Sequence, residues 1–413
     1  MSELICVTNS AACREELTVR IEKLAACRPG AVLLREKELS EADYEALAAK
    51  AKAICGRYGV RLILHGFTGV ALRLGLGSIH LPMDRLRALP EDEKRRFETI
   101  GASVHSPEEA AEAERLGAGY VNFGNIFETP CKPGLPGRGI KALHDTVKAC
   151  GIPVCAIGGL DRDNAVRARR AGAKGICVMT EAMRTQDPAS YIAGLKQALS
   201  ARILSSELRL YAITDNACIG GRDLCEAVDF ALTGGATVIQ LRDKEASHEE
   251  LVGKAKALKE ICASHGAALI VNDDWQAAAE AGADGAHVGI EDAPVSEIRE
   301  KAGEGFIIGA TAKTVPQALA AKEAGADYLG VGAVFPSPTK KNAIRITPEL
   351  FREVVSAAGL PAVAIGGITL ENITSLKDLG ADGFAVVSAI FARKDIRQAA
   401  EKLRALSEGI LKR

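Results

Sequence analysis

The chain has 413 residues, of which 47% are hydrophobic and 25% charged, with a formal net charge of −1. That composition excludes a disordered or fibrous chain and holds enough apolar material for two cores of about 200 residues each. Near-neutral, interspersed charge removes any electrostatic claim on nucleic acid or an anionic membrane, and no apolar run approaches the ~18 residues of a spanning helix.

The N-terminus, MSELICVTNS, lacks a charged region followed by an apolar one, so no signal peptide is expected and the chain reads as cytoplasmic. Eight of the eleven cysteines fall before residue 200, without paired CxxC spacing. Several, such as Cys155 and Cys177, sit in apolar strand-like runs, where cysteine behaves as a small hydrophobe.

From the N-terminus, short apolar segments alternate with Ala/Glu/Lys-rich stretches. LICVTN (4–9), AVLLREK (31–37), RLILHG (61–66), SIHLP (78–82), IGASVH (100–105), YVNFG (120–124), VCAIGG (154–159) and GICVMTE (175–181) read as strands. A short connection, ARILSSE (201–207), follows. The pattern then begins again with LRLYAITD (208–215), TVIQLRDK (237–244), ALIVND (268–273), GAHVGIED (285–292), FIIGAT (306–311), YLGVGAVF (328–335), AVAIGGI (362–368) and GFAVVSAI (383–390). Helix-like spans, among them His248 to Ser264 and Val315 to Ala324, lie between them.

The two series are in register. Gly332 answers Gly124, Arg242 answers Arg35, His287 answers His80 and Gly366 answers Gly158, each at a separation of 207 or 208 residues. A constant offset across unrelated motifs points to one duplicated domain, with copies over 1–200 and 208–413. Eight strand-helix units per copy predict an α/β chain of two tandem (β/α)8 TIM barrels. A doubly wound open sheet also explains the alternation, but polar residues at nearly every strand end favour closure.

In such barrels the chemistry sits at the carboxyl ends of the strands. The second copy places there Gln240, Arg242 and Lys244 from its second strand, Asn272 and Asp273 from its third, and Glu291 and Asp292 from its fourth. Thr311, then Ser337, Thr339 and Lys340, the pair Gly366-Gly367, and Val387-Ser388 follow from the fifth to the eighth. Carboxylates on adjacent strands can share a hard cation, Mg²⁺ typically using one or two of them plus substrate phosphate oxygens. Arg242, Lys244 and Lys340 would meet the remaining anionic oxygens, and glycine pairs let backbone amides approach a phosphate. Taken singly, Asp273 and Asp292 read as turn or cap residues, Lys244 as a solvated lysine and His287 as a satisfied core histidine; convergence on one rim is what favours a site. No Ser/His/Asp or Cys/His arrangement suggests a side-chain nucleophile.

These residues carry a resemblance. YAITD, QLRDK, VND, HVGIED, GVGAVFPSPTKKNA, AIGGI and AVVSAI, in that order over 208–413, closely resemble thiamine phosphate synthase. The resemblance implies Mg²⁺-dependent coupling of hydroxymethylpyrimidine diphosphate to thiazole phosphate, or its carboxylate form, with release of diphosphate. It implies a pyrimidine diphosphate site at Gln240, Leu241, Arg242, Asp243, Lys244, Asn272, Thr311 and Lys340, of which Arg242, Lys244 and Lys340 are the catalytic cations. It further implies one Mg²⁺ in the C-terminal barrel on Asp273 and Asp292, and a thiazole phosphate site at Ser337, Pro338, Thr339, Gly367, Val387 and Ser388. Ile290 replaces a usual glutamine, and Thr311-Ala312 a usual Ser-Thr; Thr311 keeps the hydroxyl. The partners implied are small phosphorylated substrates, with self-association left open.

The first copy keeps Arg35, Lys37, Ser103, Lys132 and Gly158-Gly159, but Gly66 stands where Asp273 does and Arg85 where Asp292 does. Its ASVHSPEEA and FETPCKPGLPGRG runs resemble the thiazole tautomerase branch of the same superfamily, which implies a candidate site at Arg35, Lys37, Ser103, His105, Asn125, Lys132 and Gly159. That branch's catalytic histidine falls on Asn125, and asparagine cannot shuttle a proton at neutral pH. His65 or His105 as substitute, or a binding or scaffolding role, are the readings left open. A different phosphate-handling barrel, an isomerase or lyase of tryptophan-type pathways, would share the glycine pair but leave Asn272, Asp273 and Asp292 unexplained.

Overall fold

The structure, a computed structural model, describes residues 3–129, 131, 134–336 and 345–411. The chain divides into two compact units, Met1–Ser200 and Ala201–Arg413.

In the first unit the strands are β1 (Glu3–Val7), β2 (Ala31–Leu34), β3 (Arg61–His65), β4 (Ser78–Pro82), β5 (Thr99–Val104), β6 (Tyr120–Gly124), β7 (Val154–Ile157) and β8 (Gly175–Val178). In the second they are β9 (Leu210–Ile213), β10 (Val238–Leu241), β11 (Ala268–Asn272), β12 (Gly285–Val288), β13 (Ile307–Ala312), β14 (Tyr328–Gly332), β15 (Ala362–Ile365) and β16 (Gly383–Val386). Each set pairs in parallel, in sequence order, and closes by β1 pairing β8 and β9 pairing β16. Both units are therefore the (β/α)8 barrels expected from the sequence.

Every predicted strand is present, but most stop short of the predicted stretch. β10 ends at Leu241, where the stretch ran to Lys244, and β12 ends at Val288, where it ran to Asp292. The trailing polar residues leave the ladder and form the rim loops, because a strand buried on both faces has no place for a charge.

The helices have ordinary local causes. Ser247 caps His248–His265 in a reciprocal capping box with Glu250, and Gly266 ends that helix at φ 66°. Its counterpart, Glu41–Tyr58, begins at Ser40 and ends at Gly59, also φ 66°. Two apolar layers result in each unit: one between strands and helices, and a smaller one inside the barrel. The inner layer of the second unit includes Tyr211, Ile270, Ile307, Tyr328 and Val363. Ile203 and Leu208, ahead of β9, join it, so the stretch read as a connection packs into this barrel. Among the described residues no helix is long and apolar enough to cross a membrane.

Candidate active site

Inside the C-terminal barrel, alternation turns Tyr211, Gln240, His287, Thr311 and Tyr328 inward, where they form one hydrogen-bonded chain. Gln240 Nε2 donates to Tyr211 Oη at 2.9 Å, and the two tyrosine hydroxyls lie 2.7 Å apart. Tyr328 Oη meets His287 Nδ1 at 3.2 Å, while His287 Nε2 meets Thr311 Oγ1 at 3.1 Å. Room for these rings comes from Gly309, where a Cβ would stand 2.2 Å from Tyr328 Cζ and 2.4 Å from His287 Nδ1. Burial pushes His287 down to about 4, so it is neutral at pH 7. With both nitrogens engaged it is a satisfied core histidine. The chain holds Gln240, 3% exposed, at one end and Thr311 at the other.

Above this layer the rim is bipolar. Arg242, just past β10, pairs with Asp215 at 2.9 Å, and its backbone N–H donates to Thr214 Oγ1. Asp215 is a rim neighbour of Arg242 that the sequence reading passed over, although it ends the quoted YAITD run. Asp273 follows β11 in the left-handed region, φ 63°, and its N–H donates to the His287 carbonyl at 2.9 Å. Asp292 Oδ2 accepts from the Gly289 N–H at 2.6 Å. The carboxyl groups of Asp273 and Asp292 share a hydrogen bond. Burial, that bond and the Asp292 charge push Asp273 up to about 6, opposed by Lys244 and Arg242. The two acids and two of the predicted cations thus lie in one electrostatic neighbourhood.

The remaining predicted residues divide. Asn272 ends β11, half-buried beside Asp273. Lys244 is exposed at the rim. Gly366 and Gly367 turn the chain at φ 103° and 62°, and a Cβ on Gly367 would meet the Pro336 carbonyl oxygen at 2.2 Å, so only glycine fits. Val387 and Ser388 form the start of the short helix after β16. Leu241 instead packs in the outer layer and can offer the mouth only its backbone. Asp243 pairs with Lys254 at 2.6 Å; burial alone would raise its carboxyl, but the Lys254 and Asn216 hydrogen bonds outweigh it and hold the group below its usual range. Ser337, Pro338, Thr339 and Lys340 lie outside the described residues.

In the N-terminal barrel a cavity of about 430 Å³ is lined by Arg35, Lys37, Ser103, His105, Asn125 and Gly159, with His65, His80 and Asn122 below them. Lys132 lies outside the described residues. Here His80 bridges Tyr120 Oη at 3.1 Å and Ser103 Oγ at 2.8 Å, the same ring triad as His287, Tyr328 and Thr311. Asn125 is buried with its amide donated to the Phe127 carbonyl at 3.2 Å. The His105 N–H donates to Glu109 Oε2 at 2.7 Å. Burial, then the charges of Arg35, Lys37 and Arg85, push His65 down to about 4.

A family profile described as thiamine monophosphate synthase matches the chain twice, over residues 4–182 and 210–390. The chain belongs to the thiamine monophosphate synthase family. Thiamine-phosphate synthases of Clostridium tetani and Caldivirga maquilingensis are 41% and 43% identical over 194 and 193 residues, each 47% of this chain and 93% of the relative. A solved thiamine phosphate pyrophosphorylase from Pyrococcus furiosus is 38% identical, with TM-score 0.48, covering 51% of this chain and all of that one. Membership of the thiamine monophosphate synthase family places the chain among the transferases.

The donor set fits the metal that the family resemblance implies. Among the described residues no group of three or more His, Cys, Asp or Glu could enclose an ion. Two neighbouring carboxylates, one of them held protonated by burial and by the other's charge, suit Mg²⁺ when substrate oxygens complete its shell.

Proposed function

We propose that the C-terminal barrel joins hydroxymethylpyrimidine diphosphate to thiazole phosphate, releasing diphosphate. The carbon–oxygen bond to diphosphate breaks with its electron pair leaving on oxygen, and the thiazole nitrogen lone pair forms the new carbon–nitrogen bond. The observation behind this reading is the Asp273–Asp292 carboxyl pair beside Arg242 and Lys244. Mg²⁺ on that pair would supply charge neutralisation to the departing diphosphate.

The chain's own groups do the rest. Arg242, held by Asp215, and Lys244 oppose the negative charge that grows on the leaving oxygen. Gln240 and Thr311, fixed through the tyrosine–histidine chain, orient the pyrimidine diphosphate, and the Gly366-Gly367 turn with Val387-Ser388 receives the thiazole phosphate. Lys340 and Ser337 to Thr339 complete these two sites in the family pattern.

Incubating the chain with both substrates and Mg²⁺ yields thiamine phosphate on this reading, and Asp273→Ala abolishes it. No product from the intact chain would refute it.

For the N-terminal barrel two readings stand: a thiazole tautomerase-like isomerase working ahead of the coupling, and a binding module without turnover. Asn125, buried and donating its amide to the backbone, supports the second. Full-length chain carrying Asp273→Ala, assayed for thiazole isomerisation, separates them, since turnover there requires the isomerase.

A further inference from the structure

The N-terminal barrel has more than lost the carboxylates. Gly66 follows β3 where Asp273 follows β11, and Arg85 stands at the position of Asp292. Arg85 Nη1 donates to the Gly66 carbonyl at 2.6 Å, and a Cβ built on Gly66 would meet that nitrogen at 3.1 Å. The guanidinium also lies 6.0 Å from the Phe67 ring centroid. A fixed cation therefore lies against the backbone from which, in the other copy, a metal carboxylate projects.

It is not alone. Arg35 and Lys37, from the loop after β2, line the cavity beside His65. Among the described residues none of the three cations forms an ion pair with a carboxylate. Their mutual repulsion is expressed in Lys37, whose ammonium is lowered by burial and then by Arg35, with Asp84 only partly offsetting. Concentrated positive charge in a concave mouth favours an anion.

Deeper in the same cavity is an independent sign of a ligand. Asn122, 5% exposed on β6, has a buried Oδ1 with no hydrogen-bond partner. It occupies the position of Gly330, where the C-terminal barrel has no side chain. An orphaned buried acceptor is costly and calls for a donor from something that enters the barrel.

We propose that the N-terminal barrel is a metal-independent site for a small organic phosphate or diphosphate, with Arg35, Lys37 and Arg85 taking the anion and Asn122 accepting from an N–H on its ring. The guanidinium supplies in covalent form the positive charge that the C-terminal barrel must import. The site needs no isomerase activity and stands independently of the coupling reaction.

Calorimetry on the full chain tests this, in a Lys244→Ala background that weakens the C-terminal site, with EDTA present and inorganic diphosphate as probe. One equivalent should bind per chain with no divalent cation available. Arg85→Gln should weaken it about tenfold or more, and Arg85→Lys less, since charge remains without the planar fork. Arg35→Gln provides the same readout should Arg85→Gln fail to fold. Binding that requires Mg²⁺, or that survives both glutamine variants unchanged, overturns the proposal. Asn122→Leu should leave inorganic diphosphate untouched while weakening hydroxymethylpyrimidine diphosphate about tenfold. An equal effect on both probes overturns the role given to Asn122.

Discussion

Asp273 and Asp292 share a hydrogen bond across the loops that follow two neighbouring strands, β11 and β12. Like charges at that range cannot both ionise freely, and Asp273 accordingly keeps its proton to about pH 6. A folded pKa above the ordinary carboxylate value means that the folded chain binds more protons between about pH 4 and 6. Stability contributed by Asp273 therefore falls as pH rises through that window, and the penalty is complete above it.

Asp273→Asn should then raise the metal-free melting temperature of the chain at pH 7.5, by about 2 °C, and by clearly less at pH 4.5. Asparagine also accepts the left-handed backbone at this position. Mg²⁺ should raise the melting temperature of the native chain at pH 7.5, more weakly at pH 5, and not at all in the variant. Scanning calorimetry at the three pH values checks both signs.

Lys244→Ala should lower kcat/KM about 100-fold or more, because the lost cation faces charge that develops on the leaving group. Being exposed, Lys244 should cost nothing measurable in melting temperature. Steady-state kinetics beside a thermal melt distinguish lost catalysis from lost fold.

Gly367→Ala and Gly359→Ala make a matched pair, both at φ 62°. At Gly359 the new methyl meets little beyond Lys322 Nζ at 3.9 Å, so the cost is the backbone term of about 1 kcal/mol. At Gly367 it collides with the Pro336 carbonyl oxygen, so the loss should be larger and the KM for thiazole phosphate should rise. Chemical denaturation and saturation kinetics report the two effects.

Tyr328→Phe should cost about 1–3 kcal/mol, since it leaves Tyr211 Oη and His287 Nδ1 short of a partner inside the barrel. Denaturant midpoints measure it. A fall in pyrimidine diphosphate affinity should accompany it, because Gln240 is positioned through Tyr211.

Much of this protein was legible in its residue order. Short apolar runs alternating with helix-like stretches, eight to a copy and recurring in the second copy at a constant offset, specify two closed barrels, because backbone hydrogen bonding leaves a parallel strand few other ways to bury both faces. Charged residues such as Arg242, Asp273 and Asp292 at the ends of apolar runs were already marked as rim groups, since a charge cannot remain in that interior. The spatial relations were not legible. That Asp243 turns to Lys254 while Arg242 turns to Asp215, that Gln240 and Thr311 are joined through two tyrosines and a histidine, and that Arg85 reaches back to Gly66 all depend on side chains brought together from separate strands. Barrel closure alone sets those distances, and hydrogen bonds and charge interactions act through distance in space, which residue order does not encode.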